Sequence, residues 1–289
     1  MAARDVMVDA PPARRGIVSP TGRAVTLTSV RPNEGITMAY RRRLERLVDT
    51  MQSSLVYWLR ACYRANEPEL AQAGAHDSSP AMTLRDTMNR LARRWQRRFD
   101  EAAPVLARQF AAASMSHADS AMRASLKKAG FAVEFRLTRE ANDALQATIG
   151  ENVGLIRSIA SQHLAEVQGL VMRSVQTGRD IGGLTQALQD RHGITRRRAA
   201  FIARDQNSKA TATVTRVRQE NLGITEAIWL HSHGGRHPRK SHIEADGKRY
   251  TISEGMYLDG AWTWPGREPN CRCVSRSIIP ALDDGRYGP

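Results

Sequence analysis

Six side chains able to hold a metal ion fall between residues 224 and 280: His231, His233, His237, His242, Cys271 and Cys273. In an extended segment side chains alternate, so residues two apart face the same way and Cys271 and Cys273 can reach one ion. His231 and His233 share that spacing. Zinc takes four nitrogen or sulfur ligands, and a closed site of this kind stabilises a module too small and polar to hold itself together. The expected tetrad is His237, His242, Cys271 and Cys273, holding one structural Zn2+, with His231 and His233 as alternates for the histidine places. Cys-x-Cys is not the usual Cys-x-x-Cys knuckle, and four histidines compete for two places. A second reading therefore stays open, in which reduced thiols and hydrogen-bonded histidines fix the turns without metal.

The same residues admit a different chemistry. A metal-dependent nuclease, or another nucleic-acid-processing protein, needs an open metal position and a general base, and His231, Asn270 and the cysteines can be cast in those roles. No paired carboxylate or nuclease spacing accompanies them. No catalytic residue is assigned, and a non-enzymatic role is expected. A disulfide framework is not expected either, because two of the three cysteines are separated by a single residue and the third, Cys62, lies far away.

The elements that must position these groups are mainly helical: long amphipathic helices followed by a small, loop-rich α+β C-terminal module with short strands. Residues 1–34, with Pro11, Pro12, Pro20 and Pro32, show no sustained apolar period and read as an extended or disordered arm. Residues 35–177 read as a helical domain. Its first helix carries Tyr40, Leu44, Val48, Met51, Leu55 and Leu59 at spacings of three and four. A second stripe runs from Leu84 through Trp95 to Phe110, where Pro104 is expected to kink or interrupt the helix. A third runs from Leu155 to Val171, with His163 on the stripe and therefore expected in the core. The alternation at Phe131, Val133 and Phe135 is too brief to separate strand from connector.

Residues 178–289 read as the C-terminal module. A short helix around Leu184 and Leu188 is expected to turn at Gly193 into a longer helix capped by Thr195. Asn221–Gly223 should stop that helix, and short strands are expected at 224–230, 249–252 and 274–279.

The chain carries 43 basic against 29 acidic residues, a net charge of +14, and 38 of the basic residues are arginine. Residues 1–150 contribute +8 (23 basic, 15 acidic) and the remainder +6 (20 basic, 14 acidic), so no basic tail stands apart. An arginine surplus suits a polyanion or an acidic protein, although a GC-rich coding sequence also produces one. Arg41, Arg42, Arg43 and Arg46 on the first helix, and Arg93, Arg94, Arg97 and Arg98 on the second, are the expected contacts for DNA or a partner. No apolar run approaches the roughly 18 residues of a membrane span, and the start lacks an apolar signal core. Synthesis in the cytoplasm and no membrane partner are expected.

Two blocks of the last third carry a resemblance. The first is Arg196–Ala212, RRRAAFIARDQNSKATA, with Ala199, Ile202, Ala203, Arg204, Asp205 and Asn207. The second comprises Trp229, Arg239, His242, Gly247 and Pro265, closing on Pro269, Asn270, Cys271, Arg272 and Cys273 as PNCRC. Over roughly residues 178–280 the chain resembles the phage head morphogenesis proteins related to protein F of phage Mu. It departs from their pattern at the Gly234–Gly235 turn, where an acidic residue is usual, and at His237, where another basic residue stands. Some of these proteins have cysteines where this chain has Arg239 and His242, the pattern expected if that region faces Cys-x-Cys across a metal. The resemblance implies a structural minor capsid protein inside the virion head, near the portal vertex. Its implied partners are portal and major capsid proteins and packaged double-stranded DNA, bound without sequence preference. A toxin or transferase fusion would need a further domain and is not expected.

Overall fold

The computed structural model describes residues 17–19, 23–65, 80–176, 180–235 and 237–280. The stretch 1–16, Pro20 and residues 66–79 and 177–179 lie outside the described residues. Four long helices come first: α1 (Glu34–Ala65), α2 (Pro80–Lys128), α3 (Arg139–Gln176) and α4 (Ile181–Asn221). Short elements follow: β2 (Glu226–Leu230), α5 (Lys240–Glu244), β3 (Arg249–Thr251), β4 (Met256–Leu258), β5 (Ala261–Thr263) and β6 (Val274–Ile279). A two-residue strand, β1 (Val25–Thr26), precedes α1. Among the described residues no helix is long and apolar enough to cross a membrane.

The apolar stripes decide the packing. Leu44, Val48, Met51, Leu55 and Leu59 of α1 meet Leu84, Met88, Trp95 and Phe99 of α2, and Ile156, Ile159 and Val167 of α3 close the same core. Each sits on one face because apolar residues recur at helical spacing. Trp95 is a core residue, as its register required. α1 starts where Asn33 Oδ1 accepts the N–H groups of Gly35 and Ile36 at 2.8 and 3.3 Å, supplying partners that the first turn lacks.

Three local expectations are corrected. α2 runs unbroken through Pro104, with Phe99, Ala103, Ala107 and Phe110 buried on both sides of the proline. α4 is one helix from Ile181 to Asn221 and does not turn at Gly193. A glycine inside a helix costs only about 1 kcal/mol, and burial of Leu184, Leu188, Ala199 and Ile202 across it outweighs that. Thr195 therefore caps nothing: its hydroxyl donates to Arg191 O at 3.0 Å within the helix, and the true N-cap is Asp180, which accepts from Gly183 N at 3.0 Å. Residues 131–138 are a connector without regular structure, leading from α2 to α3.

Strands appear at the three places expected, as β2, β3 and β6, and three further strands, β1, β4 and β5, join them. β1, β6, β2 and β3 form one antiparallel sheet in that order, and β4 and β5 form a hairpin. Asp259 and Gly260 both have positive φ (51° and 85°) at its tip, the two-residue turn that suits the strand twist. Residues 23–33 of the expected arm lie along this sheet, with Leu27 and Val30 buried against the ends of α2 and α4.

α4 serves both bodies. Its first half completes the helical core, while Val214 near its end belongs to a second core with Met122, Leu126, Trp229, Tyr250 and Ile252. Arg218 on this half is buried, donates to both oxygens of Asp119 at 2.7 and 2.8 Å and to Arg136 O at 2.7 Å, and so ties α2 and the connector to α4.

His163 lies buried between α1 and α4, its ring nitrogens 2.9 Å from Thr195 Oγ1 and 3.2 Å from Gln52 Oε1. Burial first, then Arg191 and His192, holds its pKa down at about 4. Below its ordinary value near 6.5 the unfolded chain takes up this proton and the folded chain does not, so stability falls as pH drops from about 6.5 toward 4. Urea unfolding should lose up to about 3 kcal/mol over that window. His163→Gln should flatten that part of the profile, and an unchanged profile in the variant would show that His163 is not its source.

Candidate metal centre

The closing motif is positioned by α4. Asp205, buried on that helix, accepts the backbone N–H of Asn270 at 2.6 Å and pairs with Lys209 at 3.1 Å. Asn270 is held at φ 60°, a conformation Asn tolerates better than most residues, and the next residue is Cys271. Gly266, at φ 85°, lets the Pro265–Gly266 turn lie on α4, where an added Cβ would come 3.0 Å from Ala212 Cβ. Asn207, two residues after Asp205 and fully buried, donates to Asn33 O at 2.9 Å and Thr37 Oγ1 at 2.8 Å. The helix block thus grips the Cys-x-Cys turn with one residue and the start of α1 with another.

Trp229 and Gly247 position the histidine side. Trp229 is fully buried on β2 and exchanges backbone hydrogen bonds with the turn after α5: its N–H donates to Lys248 O at 2.9 Å, and Gly247 N donates to its carbonyl at 2.8 Å. Gly247 sits at φ 77°, where a side chain is strained. This places α5, entered from Arg239, so that the buried His242 stands edge-on to Trp229 with ring centroids 5.1 Å apart.

His242, Cys271 and Cys273 meet in one buried cluster, with a ligand atom from each lying within 4.8 Å of the others. His242 Nδ1 is 3.5 Å from Cys271 Sγ and 3.7 Å from Cys273 Sγ. The hydrogen bond shared with Cys273, assisted by His242 and by the N–H groups of Cys273 and Gly266, draws the Cys271 thiol down against the effect of burial. Cys273 is pushed up by that shared bond, by burial and by the neighbouring charge of Cys271. Two thiol sulfurs beside an imidazole are the donor set that a borderline-soft cation takes. Trp229 Nε1 is buried beside Cys273 and acts on that thiol to draw it down against burial. An N–H directed at a thiolate is a common support around a bound metal. The residues present fit zinc.

The other histidines are placed differently. His237 is exposed and lines the same cleft, outside the three-residue cluster. His231 and His233 gather on Asp246, whose oxygens take His231 N at 2.8 Å and His233 Nε2 at 3.0 Å. The His231 N–H first, and then His233, hold the Asp246 carboxyl below its usual range. His231 Nδ1 accepts the His233 N–H at 3.1 Å, so this pair fixes the loop after β2. Sequence reading missed Asp246, Arg218 and the buried Gln206 and Gln219, which carry no spacing signature.

Arg204, Arg239, Asn270 and Arg272 surround the cleft above the cluster with His231, His237 and Pro269. Ala199 and Ile202 lie in the helical core. Arg42, Arg46, Arg93, Arg94, Arg97 and Arg98 are exposed, while Arg41 pairs with Glu45 at 2.8 Å and Arg43 bonds Gln109.

Asp205→Ala strips the Asn270 N–H of a charged acceptor and should cost about 2 kcal/mol. Limited proteolysis should then cut near residues 264–273 first. Wild-type resistance there would contradict the role given to Asp205.

Comparison with known proteins agrees with the geometry. Residues 165–276 match the family described as Phage Mu protein F like protein. An uncharacterised protein of Haemophilus influenzae is 39% identical over 142 residues, which cover 49% of this chain and 30% of that relative. The matched segment therefore spans less than a third of the relative's length. No solved structure matches. The family match covers α4, the sheet strands β2 and β3, the cysteine turn and part of β6, and over residues 165–276 the chain is similar to the Phage Mu protein F like proteins.

Proposed function

We propose that the protein is a structural minor head component of a tailed bacteriophage, acting in head morphogenesis at the portal and beside packaged DNA. The observation that carries this reading is the character of the motif residues: they bury, cap and tether. Asp205 and Asn207 hold backbone and neighbouring loops, Trp229 and Gly247 seat α5, and the cysteines meet His242 in the interior. Among the described residues the cleft above them has no carboxylate in its lining, so paired carboxylates for hydrolysis are lacking there.

His242, Cys271 and Cys273 would hold one structural zinc, with His237 on the cleft rim as fourth ligand and His231 or His233 as alternates. When bound, zinc supplies a cross-link between α5 and the closing turn. The chain's own part is to bring the imidazole and both sulfurs together and to aim N–H groups at the sulfurs. The exposed arginines of α1 (Arg41, Arg42, Arg43, Arg46) and α2 (Arg93, Arg94, Arg97, Arg98) are the candidate contacts with DNA or with portal and capsid proteins. Such binding should be independent of sequence and weaken steeply with salt.

Protein purified without chelators should carry about one equivalent of zinc, and Cys271→Ser with Cys273→Ser should remove it. Less than about a tenth of an equivalent would leave the thiol and histidine network to act without metal. In infected cells the protein should co-sediment with portal-bearing heads, and the double cysteine variant should enter heads less well. DNA cleavage by the pure protein with divalent metal, abolished by His231→Ala, would establish the nuclease reading instead.

A further inference from the structure

We infer that the cleft over the cysteine cluster is a phosphate-binding site formed by Arg204, Arg239 and Arg272. These arginines come from three separate places in the chain: the polar face of α4, the entry to α5, and the position between the two cysteines. All three line one cavity of about 520 Å³, together with His231, His237 and Asn270, and no aspartate or glutamate lines it. Several arginines packed between helices are neutralised by a carboxylate: Arg218 has Asp119, Arg196 has Glu45 and Asp49, Arg157 has Asp100, and Arg191 has Glu166.

The three cleft arginines have no such partner among the described residues. Arg204 reaches only the side-chain oxygen of Asn270, at 3.4 Å, and its Nε is buried with nothing to bond. Arg239 donates to the carbonyl of Pro269 at 3.1 Å. Arg272 makes no ion pair among the described residues, and its guanidinium lies beside Gly234, 3.7 Å from where a Cβ there would stand. A buried, unbonded guanidinium nitrogen is costly, and like charges held together repel unless an anion joins them.

The shape of the charge distinguishes phosphate from a lone carboxylate. A second cavity of about 290 Å³ shares Arg204, Ser232 and Arg272 with the first and adds Arg31, Thr37 and Ser208, with one carboxylate, the exposed Glu34, in its lining against three arginines. Arg204 and Arg272 thus stand on the shared wall of two adjoining hollows, as successive phosphates of one backbone would require. Among the described residues neither hollow is lined by phenylalanine, tyrosine or tryptophan, so the arginines and their phosphate contacts carry most of the recognition. An acidic peptide fits less well, because Pro238 and Pro269 are the only apolar side chains, apart from the cysteines, in the larger hollow. The inference stands apart from the head-protein reading and from whether zinc is bound.

The test compares the full chain with Arg204→Gln/Arg272→Gln and with Arg249→Gln/Arg276→Gln, an equal loss of charge on the exposed face of the sheet. Arg239→Gln, at an exposed position, serves if the first pair fails to fold. Titrations use inorganic phosphate, followed by phosphorus NMR, and a short DNA duplex, followed by anisotropy at several salt concentrations. The cleft pair should weaken DNA binding at least about tenfold and reduce the salt slope by about two, beyond any loss in the sheet pair. If phosphate binding alone is lost with the cleft arginines, the site takes free phosphate and the proposal holds with that source. If neither probe distinguishes the cleft variants from the sheet pair, the proposal is wrong.

Discussion

One carboxylate on a long helix sets the geometry of the closing motif. Asp205 is buried on α4, and it accepts the N–H of Asn270 in the turn that presents Cys271 and Cys273. A buried carboxylate is tolerated only when its oxygens are occupied, and here a backbone N–H and Lys209 occupy them. The same face of α4 continues as Asn207, Ser208, Thr211, Thr215, Arg218 and Gln219, all buried. Each polar group that finds a partner across the interface fixes one segment: Asn207 the start of α1, Arg218 the α2 end and connector, Gln219 the serines of β6. A polar face buried in this way specifies register more sharply than an apolar one, because slipping by a turn would orphan Asp205, Asn207, Arg218 and Gln219 together.

That arrangement explains how a module with few strands can be well defined. The sheet is short, and its apolar core is shared with the ends of α2 and α4. The helical body and the closing module are therefore joined through a continuous helix whose first half is an apolar stripe and whose second half is a hydrogen-bonding surface. The thiol and imidazole cluster sits at the far side of the same turn, where a metal would tie α5 to the turn that Asp205 already ties to α4. Above it the unpaired arginines face outward into the cleft, so the structural tether and the charged surface share one loop.

Helices were legible in the sequence because spacing alone reports a buried stripe, as Leu44 to Leu59 and Leu84 to Phe110 do. Breakers were over-read: Pro104 and Gly193 are local signals of about 1–3 kcal/mol, and stripes running past them on both sides outweigh them. The Asp259–Gly260 hairpin carried its signal, an Asp-Gly pair between Met-Tyr-Leu and Ala-Trp-Thr, whereas β1 is two residues long and exists only because β6 offers it an edge. In the site, Cys271, Cys273 and His242 were readable from residue type. The separation of His242 from His237, His231 and His233 was not, since it depends on how Gly247 and Asp246 fold the intervening loop. Buried partners such as Asp119 for Arg218 lie 99 residues apart, and no local pattern announces them.

The central claim is that the polar face of α4 and the cysteine turn behave as one cooperative unit. Native-state hydrogen exchange on the wild-type protein tests it most directly. The account requires the Asn270 and Cys271 amides to be protected to the same free energy as the amides of α4 between residues 205 and 219, and to open with them. Exchange of Asn270 at the rate of an open loop, while α4 stays protected, would contradict it.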